Sequence, residues 1–370
     1  MSAHHQDRLD RARARLTELD VDALLAGPSS DLFWLTGYRA MPLERLTLLV
    51  LPAEGGPRLL VPELEEPRAG ASGAGDLAEI VSWKEDERPI GHAVDLLARA
   101  GCPLDGRFAV QDQLWSSFLL RLQGALTEAS WIEGSAVTRD LRLLKAPDEL
   151  DALRAAGAAI DRVHATVPEL LRPGRTEREI GRDIAERIAA EHDESAFVIV
   201  ASGPNGASPH HETGDRVVEE GDAVVVDIGG IRGGYCSDMT RNYVVGTVPD
   251  GYREIHDAVA AAQRAGVAAV RPGVTAEEVD AAARRVIAGA GYGELFVHRT
   301  GHGIGVDVHE APYLVAGSTE PLQAGMAFSV EPGIYVPGRY GARIEDIVIV
   351  TEDGAERVNT LGRELVEVAV

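Results

Sequence analysis

The chain is expected to be a two-domain α+β protein, with a smaller α/β domain over residues 1–140 and a larger α+β domain over residues 141–370. Three observations predict this. A length of 370 residues suggests roughly two domains. The first 140 residues alternate helix-like and strand-like stretches. From Arg172 onwards the chain repeats itself at an offset of 99 residues.

The opening "MSAHHQDRLDRARARLTELD" lacks an apolar signal core and reads as an amphipathic helix carrying Leu9, Leu16 and Leu19. "LTLLVLP" and "PRLLVP" read as a buried hairpin, "HAVDLLARAG" as a helix with glycine just past its end, and "GRFAVQ" as a strand. Pro147 with Asp148 and Glu149 then opens a long helix, acidic in its first turn, where the helix dipole favours negative charge. The domain boundary is expected near Thr138 to Lys145. "RPGRTEREIGRDIAERIAAEHDESAF" from Arg172 and "RPGVTAEEVDAAARRVIAGAGYGELF" from Arg271 share Arg-Pro-Gly, Thr176/Thr275 and Phe197/Phe296. Each copy reads as a turn, a threonine that caps a helix, and the apolar helix itself. The same offset pairs His210 with His309, and a five-residue insertion then pairs Asp227 with Glu331. Such a duplication predicts two pseudo-symmetric α+β units of roughly 100 residues.

Hydrophobic content of 45% and charged content of 26% fit a globular protein with a real core. The net charge of −23 argues against a nucleic-acid partner, because phosphate binding wants clustered Lys and Arg. No apolar run approaches a membrane span. Two cysteines, Cys102 and Cys236, cannot build a disulfide framework, so a reducing cytoplasm is the expected compartment.

The chemistry concentrates in the second domain. In "HRTGHGIGVDVHE", His298 and His302 stand four apart, as they would on one helix face, but Gly301, Gly303 and Gly305 do not sustain a helix. The segment should be extended or turning, with its backbone packed close to something. "AVVVDIGGIRGGYCSDMTRNYVV" reads as two strands around a glycine-rich turn; a turn centred on Arg232-Gly233 would set Asp227 opposite Asp238. "AFSVEPGIYVPGRYGARIEDIVIV" reads likewise, with a turn at Pro337-Gly338-Arg339 setting Glu331 opposite Glu345. Paired carboxylates among Val and Ile raise each other's pKa unless something positive lies between them. Four carboxylates and one imidazole suit two divalent metals, and the oxygen-rich set favours manganese, cobalt, iron or zinc over copper without choosing among them.

This ordered set, Asp227, Asp238, His302 in "TGHGIG", Glu331 in "VEPGIY" and Glu345 in "RIEDIV", resembles the five ligands of the pita-bread metallopeptidases. "SGPNGASPHH" and "VHEAPY" resemble motifs of their X-Pro branch, the prolidases and aminopeptidases P, and "DLFWLTGY" resembles that branch's amino-terminal domain more loosely. The resemblance implies a pita-bread catalytic domain preceded by a creatinase/prolidase-like domain. It implies that the five residues hold two divalent ions, with Asp238 and Glu345 bridging them. It also makes His210 and His309 active-site histidines that contact the scissile peptide, and places His298, Arg343 and Tyr335 beside the substrate. A homodimer acting on short proline-containing peptides follows from the same resemblance.

A bond preceding proline has no amide hydrogen for a general peptidase to grip. The expected reaction is attack by a hydroxide held between the metals, with Glu331 as general base and then acid. Certain dipeptidases of the family carry an arginine after the His-Glu-x-Pro motif to hold the substrate's carboxylate; here that position is Tyr313. The alternative is another metal-dependent small-molecule hydrolase or lyase on the same site. A metal-free hydrolase of the creatinase kind would break the ligand pattern, and this chain keeps it. "SSDLFWLTGY" sets Phe33, Trp34 and Tyr38 around Gly37, suited either to an interface or pocket rim or to ordinary core.

Overall fold

A computed structural model describes residues 2–370, in which the chain divides into two units, one ending at Arg142 and the other spanning Leu143–Val370. The first contains helices α1 (Ser2–Glu18), α2 (Ser30–Thr36), α3 (Glu66–Ala71), α4 (Pro89–Arg99), α5 (Ser116–Ala125) and the start of α6 (Ser135–Leu143). Its strands are β1 (Ala23–Ala26), β2 (Leu48–Pro52), β3 (Arg58–Pro62), β4 (Glu79–Trp83), β5 (Arg107–Val110) and β6 (Ser130–Glu133). They form one mixed sheet in the order β4-β3-β2-β1-β5-β6, and the expected hairpin is β2–β3, paired antiparallel. Leu25, Leu48, Val50, Leu60, Phe108 and the α4 residues Leu96 and Leu97 share one buried cluster beneath it. Trp34 and Tyr38 are both 1% exposed, so two of the three aromatics around Gly37 are core. Gly37 itself ends α2 in the left-handed conformation at φ 75°, a geometry glycine adopts without strain.

The second unit opens with α7 (Pro147–Leu170) and α8 (Glu177–Glu191), then β7 (Glu194–Ser202), β8 (Ala223–Arg232), β9 (Tyr235–Cys236) and β10 (Met239–Val245). The second copy follows with α9 (Tyr252–Ala269), α10 (Ala276–Gly289), β11 (Gly301–Gly303), β12 (Glu310–Leu314), β13 (Ala327–Val330) and β14 (Gly333–Val336). β15 (Tyr340–Arg343), β16 (Asp346–Val350), β17 (Ala355–Arg357) and β18 (Val366–Val368) complete the chain. The duplication is visible helix by helix. Thr176 and Thr275 cap α8 and α10 with the same reciprocal bonds to Glu179 and Glu278, a motif that stabilises each helix start by ~1 kcal/mol.

Apolar faces of α7 and α8 pack on the sheet β18-β10-β8-β7, through Ile160, Ile180 and Ile184 against Val200, Val226 and Met239. In the second copy, α10 lays Ala276 and Val279 on the sheet β12-β11-β13-β16-β17 against Phe328, Val330 and Val348. The two sheets touch where Thr240 of β10 bridges Glu345, just before β16. That seam lies at the ends of the strands that carry the acidic residues. Among the described residues, no helix is long and apolar enough to cross a membrane.

The two acidic hairpins obey different registers. In the second copy Gly333 pairs Arg343 and Val330 pairs Asp346, so Glu331 stands opposite Glu345 as the sequence predicts. In the first copy Ile231 pairs Cys236 and Asp227 pairs Thr240, which centres the turn on Gly233-Gly234 rather than on Arg232-Gly233. Asp238 is therefore displaced by one pleat, diagonal to Asp227 instead of opposite it. Both glycines take positive φ, at 58° and 84°, and this pair of left-handed residues places the tight turn one position later. A shift of two in the pairing sum preserves the face, so both carboxylates still point the same way.

Candidate active site

Asp227 sits mid-strand in β8, Asp238 in the break between β9 and β10, and His302 in β11. Glu331 and Glu345 lie where the paired strands β13 and β16 leave one sheet and continue as the hairpin β14–β15. This switch brings their side chains together while their backbones bond elsewhere, Glu331 N to Thr300 O at 2.8 Å and Glu345 N to Thr240 O at 3.3 Å. Gly301 and Gly303 permit the approach of β11. A Cβ on either would lie 1.9 Å from Ser329 O or 2.0 Å from Ala311 O, a contact only glycine avoids. The expectation of an extended segment packed against backbone holds.

All five residues converge. Ligand atoms of Asp227, Asp238 and Glu345 lie within 4.8 Å of one another, as do those of His302, Glu331 and Glu345. Asp227, Asp238, His302 and Glu345 are each 8% exposed or less. Three buried oxygens, Asp227 Oδ1, Asp238 Oδ1 and Glu345 Oε1, accept no hydrogen bond, although an unmatched buried carboxylate oxygen is costly. Two of their partner oxygens are tied down: Thr240 Oγ1 donates to Glu345 Oε2 at 2.7 Å and Arg343 Nη2 to Asp227 Oδ2 at 2.7 Å.

His302 adds a sharper test. Its Nδ1 lies 3.0 Å from Gly303 O and so carries the proton, leaving Nε2 as a lone pair. That lone pair faces Glu331 Oε1 at 3.3 Å and Asp238 Oδ2 at 3.7 Å. An ion pair would need a protonated ring, yet burial and the neighbouring His309 push its pKa down to about 3. With the two carboxyls ionised, acceptor faces acceptor, an arrangement that is repulsive until a cation lies between them. Carboxylates dominate the donor set and no thiolate takes part, which suits manganese, cobalt, zinc or iron.

Electrostatics record the same crowding. Burial, with the negative charges of Glu345 and Asp227, holds the Asp238 carboxyl well above the usual range. Burial, with Glu331 and Asp227, does the same to Glu345. Glu331 is pushed up to about 7, chiefly by burial. A carboxyl with a raised folded pKa keeps a proton that the unfolded chain releases, so its contribution to stability falls as pH rises. The metal-free wild type should thus lose stability relative to metal-free Glu331→Gln as pH climbs from 4.5 through about 7, by on the order of 3 kcal/mol at full extent. Paired thermal melts in chelator check this; a difference that stays flat, or grows in the other direction, would mean the carboxyl is ionised throughout.

Around the cluster stand the remaining expected residues. His309 is exposed, with its ring centroid 3.8 Å from that of His302, and it shares a 4.8 Å ligand-atom group with His302 and Asp238. His210 is exposed on the loop between β7 and β8. His298 Nε2 meets the Tyr335 hydroxyl at 2.8 Å, with Phe296 edge-on at 5.1 Å. Burial and the Arg343 charge lower the pKa of His298 to about 4, so the ring is neutral. Arg343 is only 3% exposed, and its guanidinium donates to Asp227, to the Tyr335 hydroxyl at 2.8 Å and to Thr240 Oγ1 at 3.2 Å. Tyr313 is 40% exposed and carries the Arg299 guanidinium 4.4 Å over its ring.

Three contributors were not singled out from sequence. Thr240 orients Glu345. Ser329 accepts from His302 N at 3.0 Å and donates to Glu331 at 3.1 Å. Arg299 is the third, a cation whose charge acts on both His302 and His309. Strand alternation held a signal for two of them, since Thr240 and Ser329 lie two residues from Asp238 and Glu331 and so share their face.

Comparison with known proteins agrees with this geometry. Residues 151–352 match the metallopeptidase family M24, and residues 8–144 match the creatinase/prolidase N-terminal domain. The chain belongs to metallopeptidase family M24. A probable dipeptidase, PepE, of Mycobacterium tuberculosis is 52% identical over 366 residues, covering 98% of this chain and 96% of that protein. An Xaa-Pro dipeptidase of Lactobacillus helveticus is 34% identical over 362 residues, 96% of this chain and 98% of the relative. Among solved structures, the prolidase from Thermococcus sibiricus superposes with a TM-score of 0.94 at 35% identity, covering 98% of this chain and 99% of that one. The M24 chain is thus a metallopeptidase, with the pita-bread architecture in its second unit and the creatinase/prolidase type of domain before it. The family requires divalent metal, and the cluster of carboxylates with His302 fits that requirement.

Proposed function

We propose that the enzyme hydrolyses the peptide bond preceding proline in short peptides, X-Pro dipeptides foremost, using two divalent ions held by Asp227, Asp238, His302, Glu331 and Glu345. One observation carries the reading: three orphaned carboxylate oxygens converge beside a lone-pair imidazole, near the mutually contacting side chains of Phe296, His298 and Tyr335. The names of the relatives, Xaa-Pro dipeptidase and prolidase, support the substrate class. Manganese is the first candidate metal, ahead of cobalt, zinc or iron, and the working form is a cytoplasmic homodimer. When bound, the two ions supply a water acidified towards neutrality and a Lewis acid for the scissile carbonyl.

The chain's own groups do the rest. Glu331, hydrogen-bonded by Ser329, takes the attacking water's proton and delivers it to the leaving proline nitrogen. His210 and His309 donate to the oxygen on which charge develops. The neutral His298 ring and the Tyr335 hydroxyl line the proline side, a surface that needs no amide hydrogen from the substrate.

Arg299 favours dipeptides over longer chains. Arg343 is buried and engaged with Asp227, whereas Arg299 rests on an exposed tyrosine, where it can meet a free carboxylate. Arg299→Ala should raise KM for Ala-Pro roughly tenfold to a hundredfold, the scale of one charge-assisted hydrogen bond, and leave KM for Ala-Pro amide nearly unchanged. The manganese-loaded wild type should prefer Ala-Pro to Ala-Pro-Ala and leave Met-Ala-Ser uncut. Turnover of Met-Ala-Ser ahead of both proline peptides would overturn the assignment.

A further inference from the structure

Glu177, the first residue of α8, has no exposed surface. The usual reason for an acidic residue there is helix capping, but Thr176 and Glu179 already make the reciprocal cap. Glu177 instead turns its carboxylate onto the loop that joins β7 to β8. Oε1 accepts from Ser202 N at 2.7 Å, Ser202 Oγ at 2.7 Å and Asn205 Nδ2 at 3.0 Å. Oε2 pairs with His211 Nε2 at 2.7 Å and accepts from Gly214 N at 3.3 Å. These bonds hold the Glu177 carboxyl below its ordinary pKa against the opposing effect of burial.

Every donor lies between Ser202, the last residue of β7, and Gly214, and between them the one regular element is the 3-10 turn Gly203–Ala207. His210 sits inside this stretch, next to His211. On its other side the loop rests on the hairpin β14–β15. A Cβ at Gly341 would lie 1.9 Å from Gly206 O, and Arg343 Nη1 donates to Pro209 O at 3.3 Å. The loop is thus held between a buried anion and the active-site hairpin, with Pro204, Ser208, His210 and Glu212 exposed.

The duplication sharpens the contrast. At the 99-residue offset, Glu177 corresponds to Ala276, a fully buried apolar residue. The second copy secures its own histidine by other means: Lys145 Nζ donates to Glu310, the neighbour of His309, at 2.7 Å. The buried carboxylate at this position thus has no counterpart at Ala276, although Glu277 one residue on accepts from Gly317 N at 3.0 Å in the second copy. Glu177 serves the His210 loop.

We propose that Glu177 is a positioning residue for the hydrolysis, clamping residues 202–214 through His211 so that His210 is delivered to the substrate. The inference rests on the role given to His210 above. In Glu177→Gln an amide NH₂ must face the donors His211 Nε2 and Gly214 N, so one side of the clamp opens.

A double-mutant cycle on manganese-loaded enzyme tests it, with Ala-Pro as substrate. Glu177→Gln should lose roughly tenfold to a hundredfold in kcat, the scale of an ångström of misplacement, with metal content intact and KM shifted far less. In a His210→Ala background the same change should cost no more than about twofold, because both substitutions remove one function. Hydrogen exchange on the metal-free proteins supplies a readout independent of turnover. Residues 203–211 should exchange faster in Glu177→Gln, while β8 and the body of α8 stay protected. Equal losses in both backgrounds, or an unchanged loop, would overturn the clamp. If His210→Ala alone is fully active, the role of His210 fails instead, and the exchange data alone decide the clamp. Should Glu177→Gln not fold, His211→Ala, which removes a single donor, takes its place in the cycle.

Discussion

Asp238→Asn is expected to strip at least one metal ion and to lose far more activity than the roughly 10–100-fold seen when a group behind a ligand is removed. Asp238 is 3% exposed, with Oδ1 unbonded and Oδ2 facing the His302 lone pair. An amide is neutral and has a single side-chain oxygen, so it cannot bridge two cations as a carboxylate does. The fold should survive, since the substitution removes a like charge from among Glu345, Asp227 and Glu331. A higher melting temperature for the variant than for the wild type, both in chelator, would mark that relief. Metal analysis of the purified protein is the decisive measurement; two ions per chain with full activity would sink the five-ligand assignment.

His210→Ala is the complementary experiment, expected to keep both metal ions and yet lose turnover by roughly 10²-fold or more, the usual scale for one oxyanion or proton-transfer group. The separation is possible because His210 lies on the loop surface and belongs to none of the ligand-distance groups. An exposed side chain of this kind contributes little to folding, and stability should stay within ~0.5 kcal/mol. His309 would not separate so cleanly, since its ring centroid lies 3.8 Å from that of His302 and it shares a ligand group with Asp238. If the metal content of His210→Ala falls with its rate, His210 is a ligand and its role here is wrong.

The two experiments draw on unequal amounts of sequence information. The repeat was legible because periodic helices, threonine caps and turn glycines are local features, written within a few residues of each other. Pro147, Thr176 and Thr275 start their helices where propensity and capping put them. The opposition of Glu331 and Glu345 was legible too, because a hairpin's register follows from its turn. The turn expected at Arg232-Gly233 falls instead at Gly233-Gly234, which moves Asp238 by one pleat without moving it off the shared face.

Other features depended on contacts far apart in the chain. Residues 227 and 345 carry no local mark of proximity, and the Thr240–Glu345 bridge that joins the two sheets spans 105 residues. Arg343 could have been a substrate ligand or a support for the cluster by its position two residues before Glu345; its bond to Asp227 across 116 residues decided where the guanidinium goes. Glu177 looks from sequence like one more acid at a helix start, and only the packing of α8 against the 202–214 loop turns it into an anchor. By itself the sequence determined the repeat, the strand faces and the types of ligating groups, because these follow from short-range sterics and periodicity. Tertiary structure decided which oxygens are left without donors, since that depends on every group that burial brings within reach.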